Sequence, residues 1–155
     1  PIDHWTQDFE EGGGRIIGEV CHFIDLLRFL VGVPTTSWSK SIMRSDNNDT
    51  LSIQLNYEDG SIGTIHYFSN GSKLVAKERL EIFSSGKILM LDNFRKLKGV
   101  SWPGFKKMNL WRQDKGQSAC ADAFLSSIHG LCTTPISFQE IIETSKISIE
   151  LASNE

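Results

Sequence analysis

The chain has 155 residues, 39% hydrophobic and 10% aromatic, enough apolar material for the core of one domain of ordinary size. Charged residues make up 23% and the net charge is -3, so the overall balance offers no basic surface for nucleic acid or an anionic membrane. The longest apolar stretch, residues 20–31, is broken by His22, Asp25 and Arg28, and is too short and too charged to span a bilayer.

The first segment is polar and ends in Gly12-Gly13-Gly14. From there Ile16, Val20, Phe23, Ile24, Leu27 and Val31 recur at steps of three and four, which predicts an amphipathic helix. Gly32 and Pro34 mark its end. The period then changes to two. Leu51, Ile53, Leu55 and Tyr57 alternate with polar residues, Glu58-Asp59-Gly60-Ser61 reads as a turn, and β-type residues resume over 62–68. A second hairpin is predicted from 80–83 and 88–91 around Ser84-Ser85-Gly86, with further strands over 36–44 and 93–100. Two helices close the chain. One runs over 118–131, with Phe124, Ile128 and Leu131 on one side. The other extends to about Ala152 and starts at the capping box Ser137-Phe138-Gln139-Glu140, flanked by Ile136 and Ile141 as a hydrophobic staple. Helix, many strands, two helices is an α+β order: an open, mainly antiparallel sheet with helices packed on one face, in a single domain over 1–155.

At 100° per residue, Arg15, Glu19, His22 and Leu26 share one strip beside the apolar stripe of the first helix. A cation, a carboxylate and an imidazole thus lie near a helix N-terminus, just after glycines that permit close approach. His22 is the candidate for chemistry, because an imidazole exchanges protons near neutral pH. Glu19, three residues before it, and Asp25, three after, are placed to orient or tune the ring. The same spacing also suits a plain hydrogen-bonded helix histidine and an ordinary Arg15–Glu19 ion pair. His66 and Tyr67 lie on a strand, and one of the two is expected to face the helices. His4 and Trp5 in the leading segment, and Gln113-Asp114-Lys115-Gly116 before a helix, are weaker candidates.

No metal site is expected, since Cys21 and His22 are adjacent and no second pair stands at ligand spacing. Cys21, Cys120 and Cys132 are odd in number and form no Cys-x-x-Cys, which suits reduced thiols. No charged-then-apolar leader is visible, and a cytoplasmic location is expected. A Gly-x-Gly-x-x-Gly fingerprint, a P-loop and a Gly-x-Ser-x-Gly elbow are all missing from the sequence, so no nucleotide cofactor is expected to bind this domain alone.

The run Gly12-Gly13-Gly14-Arg15-Ile16-Ile17-Gly18-Glu19-Val20-Cys21-His22-Phe23-Ile24-Asp25-Leu26 resembles the glycine-rich, His-x-x-Asp helix of the Gfo/Idh/MocA dehydrogenases. The Tyr57-Glu58-Asp59-Gly60-Ser61 turn is similar to one in that family's C-terminal domain. The Gln113–Gly116 element resembles a branch joined to a zinc-type alcohol dehydrogenase module. The resemblance implies a substrate-side domain that works with an N-terminal Rossmann domain, here lacking, which holds NAD or NADP and the catalytic lysine. It implies oxidation of a hydroxyl on a sugar, nucleotide-sugar or cyclitol, and no activity for the domain alone. It also implies a homo-oligomer through the free face of the sheet. The family's histidine matches His22, and the Asp three residues later matches Asp25. Its usual Asp four residues before the histidine is Gly18 here, so either Glu19 takes the carboxylate role or His22 acts alone. Arg15 and Asp25 are the expected substrate contacts. The competing expectation is a non-catalytic binding or assembly module.

Overall fold

A computed structural model describes residues 12–44 and 48–153. His4 and Trp5 lie outside the described residues. The chain divides into two compact units, Pro1–Asn70 with Ile136–Glu155, and Gly71–Pro135.

In the first unit the chain enters a π-helical turn, Ile16–Val20, which continues as α1, Cys21–Val31. Gly32 ends α1 at φ 82°, a left-handed conformation that suits glycine, and its N–H donates to the Arg28 carbonyl at 3.0 Å. β1 (Thr35–Ile42), β2 (Thr50–Tyr57) and β3 (Ile62–Phe68) then form an antiparallel sheet in that order. The β2–β3 turn is held by the Tyr57 N–H on the Ser61 carbonyl and by the Ser61 N–H on Asp59 Oδ1.

β2 is central, and its even alternation buries Leu51, Ile53, Leu55 and Tyr57 against the helices. Ile16, Val20 and Ile24 come down from the π turn and α1, and Ile147 and Leu151 from α3, Phe138–Ser153, to complete the core. Ile53 and Leu55 are fully buried, and each such side chain contributes roughly 1.5–3 kcal/mol. The capping box forms as expected. Ser137 N–H donates to Glu140 Oε2 at 2.9 Å, and Glu140 N–H donates to Ser137 Oγ at 3.2 Å.

The second unit is a meander of β4 (Arg79–Ser84), β5 (Lys87–Asp92), β6 (Lys96–Val100) and β7 (Lys107–Asn109), all antiparallel. Ser85 and Gly86 both take positive φ, the requirement of a two-residue hairpin turn. β6 starts later than the sequence pattern predicts. Asn93 and Phe94 both have positive φ, and the Arg95 N–H reaches back to the Asp92 carbonyl, so a turn occupies the expected start of the strand. α2, Gln117–Ile128, is shorter than expected and is followed by Gly130 at φ 69°. None of its residues is buried, and Phe124 and Ile128 are exposed.

The α+β class is as expected, with α1 and α3 on one face of β1–β3. The strands form two sheets, one in each unit. No described helix is long and apolar enough to cross a membrane.

Candidate functional site

The glycine run is required by local geometry. Gly13 and Gly14 have φ of 65° and 81°, and a Cβ on Gly13 would stand 3.2 Å from the Ile17 side chain. The chain then enters the π turn, in which the Cys21 N–H bonds the Ile16 carbonyl five residues back. An even 100° per residue does not hold through such a turn.

Arg15 and Glu19 stay together. Arg15 Nη1 donates to Glu19 Oε1 at 2.6 Å. The second carboxylate oxygen, Oε2, accepts a hydrogen bond from the Tyr67 hydroxyl of β3. Burial, and then the Glu19 carboxylate, push the Tyr67 phenol far above its ordinary value, so it stays a neutral donor to Glu19. Arg15 Nε is buried and has no hydrogen-bond partner among the described residues.

His22 lies on the first turn of α1 with its side chain exposed. Asp25, one turn on, is half-buried. Burial raises its pKa, the Glu140 carboxylate raises it further, and attraction to His22 works the other way. The arrangement is a solvent-facing imidazole with a carboxylate held at some electrostatic cost beside it. Such a pair can accept and return a proton. Cys21 donates from Sγ to the Ile17 carbonyl at 2.9 Å, and burial pushes its thiol up, so it is a poor nucleophile. Among the described residues no three His, Cys, Asp or Glu side chains are grouped to hold a metal ion.

Tyr67 is the site residue that sequence reasoning left unassigned. The signal was present in the strand alternation: of His66 and Tyr67, the tyrosine faces the helices, whereas His66 is exposed and bonds Ser52 Oγ through Nδ1 at 2.8 Å. The Gln113–Gly116 stretch belongs to the second unit and is used for local structure there. Lys115 pairs with Glu78, Gln113 donates to Asn93 Oδ1 at 3.0 Å, and the Gly116 N–H bonds Asp114 Oδ1.

The model of the GFO/IDH/MocA C-terminal domain family matches residues 1–89, more than half of the chain. Solved structures with the same fold include levoglucosan dehydrogenase in complex with NADH, at TM-score 0.75 and 16% identity, covering 96% of this chain and 51% of that one. UDP-N-acetylglucosamine 3-dehydrogenase GnnA from Acidithiobacillus ferrooxidans aligns at TM-score 0.72 and 15% identity, covering 88% and 47%. The dehydrogenase MviM from Clostridium difficile aligns at TM-score 0.70 and 21% identity, covering 88% and 46%. The chain therefore spans about half the length of these structures. No curated protein matches the sequence.

Proposed function

Given that the chain belongs to the GFO/IDH/MocA C-terminal domain family of oxidoreductases, we propose that it is the substrate-side domain of an NAD(P)-dependent dehydrogenase acting on a hydroxyl of a sugar, nucleotide-sugar or cyclitol. The observation that carries this reading is His22, exposed on the turn that follows the glycine run and the π-helical entry, with Asp25 beside it. The names of the solved structures support the substrate class: one is a levoglucosan dehydrogenase, another a UDP-N-acetylglucosamine dehydrogenase.

The residues of this chain do not themselves fit a dinucleotide. Every described strand pairs antiparallel, and none leads into a Gly-x-Gly-x-x-Gly turn. The nicotinamide cofactor, which supplies hydride chemistry, is assigned to a separate Rossmann domain. This domain alone is then inactive. Its own part is to position the substrate and manage its proton. His22 takes or returns the hydroxyl proton, and Asp25, one turn on, contacts the substrate. Glu19 provides the carboxylate that Gly18 lacks, fixed between Arg15 and Tyr67, and Arg15 offers a cation to an acidic or phosphorylated substrate.

The test is His22→Ala in the protein that contains both domains. Turnover is expected to fall about 100-fold or more with unchanged thermal stability, since the side chain is exposed. Turnover near wild type would remove His22 from the mechanism.

A second reading, an assembly module, is favoured by one observation. The face of β1–β3 turned away from the helices carries Ser37, Ser39, Ser41, Gln54, Asn56 and Thr64, with no Asp, Glu, Lys or Arg. A molecular-mass measurement tests it: a monomer at all concentrations removes this reading, and a dimer together with an inert His22→Ala supports it.

A further inference from the structure

Charge is divided unevenly along the chain. Gly71–Pro135 holds eleven Lys and Arg against five Asp and Glu, a net of +6, while the other residues hold five against fourteen, a net of -9. The modest total conceals a basic unit. Within that unit Lys98 of β6 stands directly across from Lys107 of β7. Lys96 lies two residues along, on the same face of β6. Like charges placed directly opposite destabilise a strand pair. The β5 neighbour of Lys98 is Met90, which offers no compensation. Among the described residues, Lys96, Lys98, Lys106 and Lys107 form no ion pair.

These four lysines border an open cavity of about 900 Å³, within the range of small-molecule sites. The rest of its lining is mostly apolar, with Met90, Val100, Trp102 and Phe105, and it includes one carboxylate, Asp92, across from Lys96, which leaves the lysines in a four-to-one excess. The wall is built rather than incidental. Phe105 sits so close to Gly99 that a Cβ there would stand 2.9 Å from its ring, so β6 needs a glycine at that point. The ring of Trp102 has Lys87 Nζ at 5.7 Å from its centroid.

We propose that this cavity binds a small organic polyanion carrying a planar ring, of the nucleoside diphosphate class. Neighbouring strands lie about 4.8 Å apart, so Lys98 and Lys107 root two flexible cationic side chains side by side, both able to reach one diphosphate. Trp102 and Phe105 offer aromatic faces for the ring. Bound phosphates relieve the Lys98–Lys107 repulsion, so the ligand stabilises the hairpin that binds it. A cavity of this size fits one small molecule; a nucleic acid strand would need an extended basic track.

The experiment is calorimetric titration of the 155-residue chain at low ionic strength with ADP, inorganic pyrophosphate and adenosine in turn. ADP is expected to bind saturably at one site, pyrophosphate about tenfold more weakly, and adenosine not measurably. Lys107→Glu turns the repulsive pair into an attractive one. It is expected to raise the melting temperature of the free protein and to weaken ADP at least about tenfold. Trp102→Leu is expected to weaken ADP and leave pyrophosphate unchanged. Absence of saturable ADP binding up to about 1 mM, equal affinity for ADP in Lys107→Glu, or a salt-sensitive dimer that competes with ADP would each overturn the proposal.

Discussion

The two ends of α1 use the same residue types for different ends. At its C-terminal end Arg28 is buried, with Nε donating to Glu143 Oε2 at 3.0 Å and Nη1 3.6 Å from Glu140 Oε1. Glu143 Oε1 accepts the Thr35 N–H at 2.6 Å. One cluster therefore locks α1, α3 and the start of β1 together, and the cation also complements the negative end of the helix. At the N-terminal end Arg15 pairs with Glu19, Glu19 accepts from Tyr67 of β3, and the imidazole on the next turn faces solvent. An Arg–Glu pair at one end closes the fold; at the other it stands beside an open group. That contrast supports the proposal that places the chemistry of His22 at the N-terminal end.

The largest expected effect tests the contrast directly. Arg28→Ala strands Glu143 at a packed junction and is expected to cost on the order of 3 kcal/mol, measured by urea unfolding. Arg15→Ala breaks a partly exposed pair and is expected to cost roughly 1 kcal/mol or less. Equal costs would break the comparison.

How much of this was legible follows from range. The apolar period of α1, the Gly32 stop, the Ser137–Glu140 box and the hairpins at Asp59-Gly60 and Ser85-Gly86 are local signals, and the structure carries all of them. Arg28 read only as a charge interrupting an apolar run, because its partner Glu143 lies 115 residues away. The π turn was hidden because its sequence, Ile16-Ile17-Gly18-Glu19-Val20, keeps the same step-of-four apolar spacing as an α-helix. Asn93 and Phe94 read as strand residues until their positive φ turned the chain. The basic face of β6 and β7 vanished into a whole-chain charge of -3. For the candidate site, Arg15, Glu19, His22 and Asp25 were proposed from spacing, whereas the bond from Tyr67 to Glu19 needs the fold, because the two lie 48 residues apart.

The next effect concerns pH, and the two ends have opposite signs. Burial works against the charge of Glu143, but the Thr35 N–H and the Arg28 guanidinium outweigh it and hold its pKa below the ordinary 4.5. Its contribution to stability is therefore full above that pH and is lost as pH falls through the lowered value. Asp25 is the reverse. Burial and Glu140 raise its pKa above 3.8, so the ionised form weakens the fold at neutral pH and protonation removes the penalty. Glu143→Gln is expected to be less stable than wild type near neutral pH, with the gap closing in acid. Asp25→Asn is expected to be more stable near neutral pH, with that gap also closing in acid. Unfolding curves from about pH 3 to 7 for both variants decide it. A stabilising Asp25→Asn that also lowers turnover in the two-domain protein would mark a group retained for function at the expense of stability. Two variants with the same sign would leave no electrostatic difference between the ends.

The smallest effect lies within the C-terminal cluster. The Tyr57 hydroxyl is buried and has no hydrogen-bond partner among the described residues. Burial first, then the nearby Glu143 carboxylate, push its pKa up to about 12, with Arg28 pulling the other way. The ring fits closely against Gly63: a Cβ there would lie 3.3 Å from both Tyr57 Cε2 and its oxygen. The aromatic body is therefore what the core uses, and the hydroxyl is an unsatisfied polar atom in it. Tyr57→Phe keeps the packing and removes that atom, so the expected change runs from neutral to about 1 kcal/mol more stable by urea unfolding. A loss of more than about 1 kcal/mol would mean that the hydroxyl is satisfied in solution. The C-terminal cluster would then be an open polar site like the N-terminal one, and burial of Arg28 would no longer separate the architectural end of α1 from the end proposed for function.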